Sequence, residues 1–184
     1  PGDEPDLKRG FNIFEERENT DNETIISSFN SIFDTELRFN DQWKLSSQVG
    51  IQWDQSSQEQ YVGENTFNMR NIREDSSYDE NQYIVPKGGM HTVNNATTSQ
   101  ITWKVQGEYK NTFNDIHDIQ IMAGSEIRKN WYNTQFTAGY GYDPKTLTTK
   151  PLNIRNDKDA EKYKLHTKTY QENAFASFYT TGSY

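Results

Sequence analysis

Between residues 39 and 55 the chain reads FNDQWKLSSQVGIQWDQ, with apolar and polar residues alternating. Phe39, Trp43, Leu45, Val49, Ile51 and Trp53 take the odd positions; Asn40, Lys44, Ser46, Gln48, Gln52 and Asp54 take the even ones. A period of two marks a strand with one apolar and one polar face. The pattern recurs along the chain. Near 25–39, Phe29, Phe33, Leu37 and Phe39 oppose Asn30, Asp34, Glu36, Arg38 and Asn40, with Ile32 as the exception. Near 99–113, Ile101, Trp103, Val105, Tyr109 and Phe113 oppose Gln100, Thr102, Lys104, Gln106, Glu108 and Lys110. Near 118–142, Ile119, Ile121, Ala123, Ile127 and Trp131 keep one register. A further strand is predicted near 172–184, where Phe175 and Phe178 differ in parity.

The predicted strands near 25–39, 43–60, 99–113, 118–142 and 172–184 are joined in a regular rhythm. Short Asn-Asp turns, Asn40-Asp41 and Asn114-Asp115, link the members of two pairs; these residues tolerate left-handed backbone and bond their own main chain. Long polar connections, near 61–98 and 143–171, follow each pair, and 1–24 reads as a further loop whose stretch LKRGFNIFEERE suits a short strand or a helical turn. Tight turns thus gather at one end of the sheet and long loops at the other, the arrangement of outer-membrane barrels with short periplasmic turns and long extracellular loops.

The aromatic spacing agrees. Phe29 and Phe39, Trp43 and Trp53, Trp103 and Phe113, and Ile121 and Trp131 are each ten residues apart. At roughly 3.4 Å per residue and a tilt of about 40°, ten residues rise about 25 Å, the height of a barrel's apolar band between its aromatic girdles. Phe29, Phe39, Trp43, Trp53, Trp103, Phe113 and Trp131 are the expected girdle. Trp53, Trp103 and Trp131 mark its outer edge; Phe39, Trp43 and Phe113 mark its inner one. Asp34, Glu36, Arg38, Lys44, Gln48, Gln52, Lys104, Gln106 and Glu108 are then expected to face a hydrated lumen. The fold class is all-β, an antiparallel transmembrane β-barrel segment. Barrels of this kind need at least eight strands, and open edges are not tolerated in lipid, so five visible strands imply part of a larger wall.

Composition narrows the alternatives. Only 32% of the 184 residues are hydrophobic and the mean hydropathy is −1.05. No run approaches the ~18 apolar residues of a membrane-spanning helix, a bound that leaves barrel strands untouched. Aromatics reach 14%, which argues against disorder. A net charge of −8 argues against nucleic acid, which requires a basic patch. The chain contains no Cys, hence no disulfide or thiolate metal site. It opens on PGDEPD without a signal segment and stops inside an extended pattern, so it is expected to be a piece of a longer protein.

Signals of catalysis are weak. His91, His117 and His166 lack metal spacing, and no GxSxG elbow occurs. Two of Asp34, Glu36, Asp54 and Glu108 would make a glycosidase pair only if brought close; on a hydrated face they are expected to be solvated or paired with Arg38, Lys44 or Lys104. The chain is therefore expected not to be an enzyme, and no cofactor is expected. The acidic run Arg73–Glu80 offers oxygen ligands without a spaced calcium-loop pattern. Tyr61, Phe67, Tyr78 and Tyr83 are candidate contacts to substrate or to a lid, or else pack within their loop.

The phrases FNDQWKLSSQVGIQWDQ, FNDIHDIQIMAGSEI, VPKGG and ENAFASFYTTGSY resemble the barrel of SusC/RagA-family TonB-dependent transporters, over most of residues 24–184. The resemblance implies a 22-stranded barrel around an N-terminal plug in the bacterial outer membrane. It also implies a SusD-like lipoprotein lid, energy from TonB, and import of oligosaccharides or peptides. No plug or TonB-binding box is visible, so TonB would act through parts absent here, and this chain would supply wall and loops in contact with lipid, plug and the rest of the barrel. The alternative is a soluble, secreted, carbohydrate-binding β-sandwich.

Overall fold

In a computed structural model, residues 10–114 and 116–184 are described; the start of the expected N-terminal loop, 1–9, and Asp115 of the second turn lie outside the described residues. The elements follow as α1 (Ile13–Glu18), β1 (Thr20–Arg38), β2 (Trp43–Val62), α2 (Phe67–Glu74), β3 (Ser77–Asp79), β4 (Gln82–Tyr83), β5 (Gly89–Phe113), β6 (His117–Tyr142), α3 (Asp157–Lys162) and β7 (His166–Ser183). Five long strands form one antiparallel sheet in the order β1-β2-β5-β6-β7, and β3 pairs only with β4. The predominantly β architecture agrees with the alternation in the sequence. The sheet is open, and in this chain it closes into no barrel.

Several boundaries differ from the sequence expectation. The segment 1–24 is not all loop: α1 occupies Ile13–Glu18 and β1 starts at Thr20. Asn12 caps α1 by accepting from Phe14 N–H, and Glu15 and Glu16 sit in the first turn, where the helix dipole favours anions. β5 starts at Gly89 rather than near 99 and β7 at His166 rather than near 172. Alternation understates strand length because it marks only strands whose two faces differ in polarity, and at 89–98 they differ little. The 61–98 connection also holds an eight-residue helix, α2, and a hairpin that turns at Asn81 with φ 58°. The 143–171 connection holds α3, capped by Asn156. Helices this short have little intrinsic stability and leave no long periodic signature.

The first tight turn behaves as its residues dictate. Asn40 Oδ1 accepts from the backbone N–H groups of Gln42 at 2.9 Å and Trp43 at 2.8 Å. Asn114 adopts φ 54° in the second.

The chain divides into two compact units. The first comprises Pro1–Ile25, Ser56–Asn95 and Thr134–Lys168. Every buried residue among those described belongs to it, and Val62, Met69, Ile84, Val85 and Tyr163 form its core, with Ile72, Tyr78, Met90, Tyr140 and Leu152 packed around them. The two long connections fold together here. Asn153 N–H donates to Ile84 C=O at 2.9 Å, Lys150 N–H donates to Tyr140 C=O at 2.9 Å, and Lys162 Nζ reaches Asp75 C=O at 3.4 Å. Two glycines allow the chain to cross itself closely: a Cβ on Gly88 would stand 2.6 Å from Gly141 C, and their φ values are +139° and +63°. The second unit comprises Ile26–Gln55, Ala96–Asn133 and Thr169–Tyr184. It is a single layer of strands with no buried residue among those described.

Candidate functional site

The second unit carries the predicted girdle and polar face, and its cross-strand contacts sort the side chains. On one face Trp43 packs on Tyr109, ring centroids 4.7 Å apart, and Trp103 Nε1 donates to Ser47 Oγ at 3.0 Å. His117 stacks on Tyr184 at 5.6 Å and hydrogen-bonds its hydroxyl. Lys129 pairs with Glu172 at 2.6 Å and lies 5.2 Å from the centroid of the Trp131 ring. These contacts join odd positions of β2, β5 and β6 to even positions of β7. Read through the strands, this face carries no Asp, Glu, Lys or Arg from Phe29 to Phe39, Trp43 to Trp53, Ile101 to Phe113, His117 to Ile127 or Ala174 to Tyr184. Its large side chains are exposed, with Phe29 56%, Phe39 69% and Trp103 50% accessible. Phe113, Trp43 and Trp53 are exposed as well, and Trp131 is half-buried. Exposed apolar area on this scale is not left facing water in a stable monomer.

The opposite face is a ladder of polar contacts. Lys44 Nζ lies 3.3 Å from Glu36 and 3.8 Å from Glu108. Arg38 pairs with Glu36 at 2.7 Å. Gln48 donates to Asp34 at 2.7 Å, Gln52 to Asp54 at 2.6 Å, and Gln120 to Glu108 at 3.0 Å. Lys104 stands 5.6 Å over the Tyr179 ring, whose hydroxyl donates to Gln106 at 3.2 Å. So Glu36 pairs with Arg38 and shares Lys44 with Glu108, whereas Lys104 meets a ring rather than a carboxylate. Tyr179 also resolves the parity of β7: it shares the polar face, as does Phe175, and Phe178 lies on the apolar one. All these groups are exposed or half-buried, so each ion pair adds little stability.

The four loop aromatics separate in the first unit. Tyr78 lies under the Arg155 guanidinium at 4.0 Å and accepts from Asn153 through its hydroxyl. Tyr83 lies under Arg73 at 4.5 Å. Phe67, the first residue of α2, meets Phe11 edge-on at 6.0 Å, and its N–H donates to Glu16 of α1. These three pack within the loops. Tyr61 instead meets Tyr142 edge-on at 5.6 Å, and Tyr142 stacks on His91 at 4.9 Å. His91 contacts Glu59 at 2.6 Å. Tyr61 and Tyr142 line a cleft of about 720 Å³ together with Asn19, Glu64, Asn65, Lys87, Asp143, Lys145 and Lys150. Burial, with smaller contributions from Glu64, Tyr142 and Asp143, pushes the Tyr61 phenol up from its ordinary value. The Lys145 N–H holds the Asp143 carboxyl below its ordinary value. Sequence reasoning missed Tyr142 and the three lysines, because they converge only when the two connections fold together.

Among the described residues, no group of three or more His, Asp or Glu side chains is placed to hold a metal ion, and no helix is long and apolar enough to cross a membrane, which says nothing of a β-barrel.

In fold, the chain is similar to a stretch of the RagAB peptide transporter. The match has a TM-score of 0.67 at 13% identity and covers 90% of this chain. The RagAB peptide importer gives TM-scores of 0.67 in both its closed-closed state, at 13% identity, and its open-open state, at 14%. This chain spans 16% of the length of the transporter chain it matches. No protein-family model and no curated protein matches the sequence. The fold thus corresponds to part of a transporter chain, and the structural neighbours are transporters, not enzymes.

Proposed function

We propose that this chain is a wall segment, with its surface loops, of a TonB-dependent outer-membrane importer of oligosaccharides or peptides of the SusC/RagA kind, partnered by a SusD-like lipoprotein. One observation carries the reading: an aromatic-bounded, exposed face, uncharged from Phe29 to Phe39, Trp43 to Trp53, Ile101 to Phe113, His117 to Ile127 and Ala174 to Tyr184, runs across the five strands within the second unit, which holds no buried residue among those described. Lipid is the medium such a face suits, and the Trp43–Trp53 stretch matches the about 9–11 residues with which a tilted strand crosses a bilayer. The opposite face, a ladder of amides and paired charges, suits a water-filled lumen. Girdle residues Phe29, Phe39, Trp43, Trp53, Trp103, Phe113 and Trp131 would hold the wall at the two interfaces. The polar-face residues would keep the lumen hydrated, so that a solute passes without covalent chemistry. The similarity in fold to a peptide transporter favours peptides over oligosaccharides as cargo.

The soluble sandwich has less support, because a sandwich needs a second sheet across its apolar face and the described residues supply only the two-stranded β3-β4 pair besides the main sheet. The test is tryptophan fluorescence of the full-length protein in vesicles carrying depth-resolved quenchers. Quenching of Trp43 and Trp53 at shallow depth in opposite leaflets is expected. Tryptophans untouched by every lipid quencher, in a protein that stays monodisperse without detergent, would overturn the assignment.

A further inference from the structure

The cleft beside Tyr61 has a composition at odds with the rest of the chain. The protein carries a net charge of −8, yet Lys87, Lys145 and Lys150 converge here. Among the described residues no ion pair joins any of the three to a carboxylate, although Lys44, Lys129, Arg38, Arg70, Arg128 and Arg155 all have such partners. Lys150 is fixed, its Nζ donating to Lys87 C=O at 2.9 Å. Of the two acids at the cleft, Asp143 is held in its own turn, accepting from Lys145 N–H at 2.9 Å, and with Glu64 it sets two carboxylates against three ammonium groups, which leaves the lining net positive. The neighbouring wall is aromatic, made of the edge-on pair Tyr61 and Tyr142. Asn19 and Asn65 add amide donors and acceptors.

We infer that this cleft is a binding site for a carboxylate-bearing ligand, whose anionic group meets Lys87 and Lys145 while its body lies against Tyr61 and Tyr142. Lysine and carboxylate form charge-assisted hydrogen bonds, stronger than neutral ones, and a tyrosine ring offers an apolar face with a polar tip. Two sources share this chemistry, an acidic sugar and a peptide carboxylate. The cleft is built in advance: Gly88 and Gly141 cross at a separation that no side chain permits, and the lysines come from both long connections. The inference rests on the transporter reading only for a role in uptake, not for binding itself.

The experiment is calorimetry on the full-length protein in detergent with four probes: trigalacturonate, neutral maltotriose, a tetrapeptide with a free C-terminal carboxylate, and the same peptide amidated. At least one carboxylated probe is expected to bind about tenfold or more tightly than its neutral counterpart, the size of one charged hydrogen bond; whichever pair shows the preference identifies the source. The double variant Lys87→Gln/Lys145→Gln should abolish that preference, and Lys158→Gln, on α3 and outside the cleft, should keep it. Heat-modifiable migration of each variant checks that it is folded. Equal binding of charged and neutral probes, no binding of any probe, or a preference that survives the double substitution would overturn the inference. Tryptophan quenching by lipid, measured after the same protein is reconstituted into vesicles, reports separately on the membrane assignment.

Discussion

An arginine placed at Val49 tests the lipid-facing assignment most directly. Val49 shares the apolar face with Trp43 and Trp53. At roughly 3.3 Å per residue and a tilt of about 40°, it stands about 15 Å from the level of one tryptophan and 10 Å from the other, close to the middle of the band. An arginine on the lipid face costs about 2–4 kcal/mol at the bilayer midplane and about 0–1 kcal/mol near an interface. Val49→Arg should therefore cost about 2–4 kcal/mol, and Leu45→Arg, about 5 Å from the Trp43 level, about 1 kcal/mol. The neighbour Gln48 points the other way and donates to Asp34 at 2.7 Å; Gln48→Arg exchanges that bond for an exposed ion pair and should change stability by less than about 1 kcal/mol. The assay is the urea midpoint of the full-length protein folded into vesicles, with unchanged m-values required before midpoints are compared. A protein core would also reject Val49→Arg, so acyl-chain length supplies the discriminating arm: a thinner bilayer should reduce the penalty at Val49, whereas a core would not respond. Equal costs at 48 and 49, or a Val49→Arg penalty indifferent to bilayer thickness, would refute the reasoning.

Other perturbations probe the turn, the loop module and its titration. Asn40→Ala removes the acceptor for Gln42 and Trp43 N–H and should cost about 1 kcal/mol, with Asn40→Asp retaining most of it; urea midpoints compare the two. Gly88→Ala would drive a Cβ to within 2.6 Å of Gly141 C at a φ of +139°, so the loops should open to protease, whereas Gly107→Ala, with nothing within 4 Å, should leave the cleavage pattern unchanged. Met69→Ala empties a core position that is 2% exposed and should destabilise the loop module by about 2–5 kcal/mol, read as faster hydrogen exchange at Ile84 and Val85. Burial, then Tyr163, raises the Tyr140 phenol above its ordinary value. The folded state thus holds that proton more tightly than the unfolded state does, so the stability it contributes is complete below the ordinary tyrosine range and is lost as pH rises through the folded value. Ultraviolet titration should show this phenol ionising late, and Tyr140→Phe should remove the late step.

The residues differ in how openly they announced their place. Trp43, Leu45, Val49, Ile51 and Trp53 declared a strand and its apolar face because a strand's side chains alternate by geometry alone. Asn40 declared its turn because its side chain bonds the next backbone groups. The polar-face set from Asp34 to Glu108 followed from the same alternation, but the sharing of Lys44 between Glu36 and Glu108 did not, since it depends on which strands neighbour which. α2 and β3 were illegible because short elements carry little local preference. Their stability comes from Val62, Met69, Val85 and Tyr163, residues that meet only after the connections fold.

Sequence alone determined the five long strands short of their full extent, the two tight turns and the two faces, because each depends on residues within a few positions of one another. Tertiary structure decided that the apolar face lies bare in this chain, that Tyr78 and Tyr83 sit beneath arginines while Tyr61 borders a cleft, and that lysines from two separate connections converge there. Those outcomes turn on contacts between residues from ten to many dozens of positions apart, which no local pattern encodes.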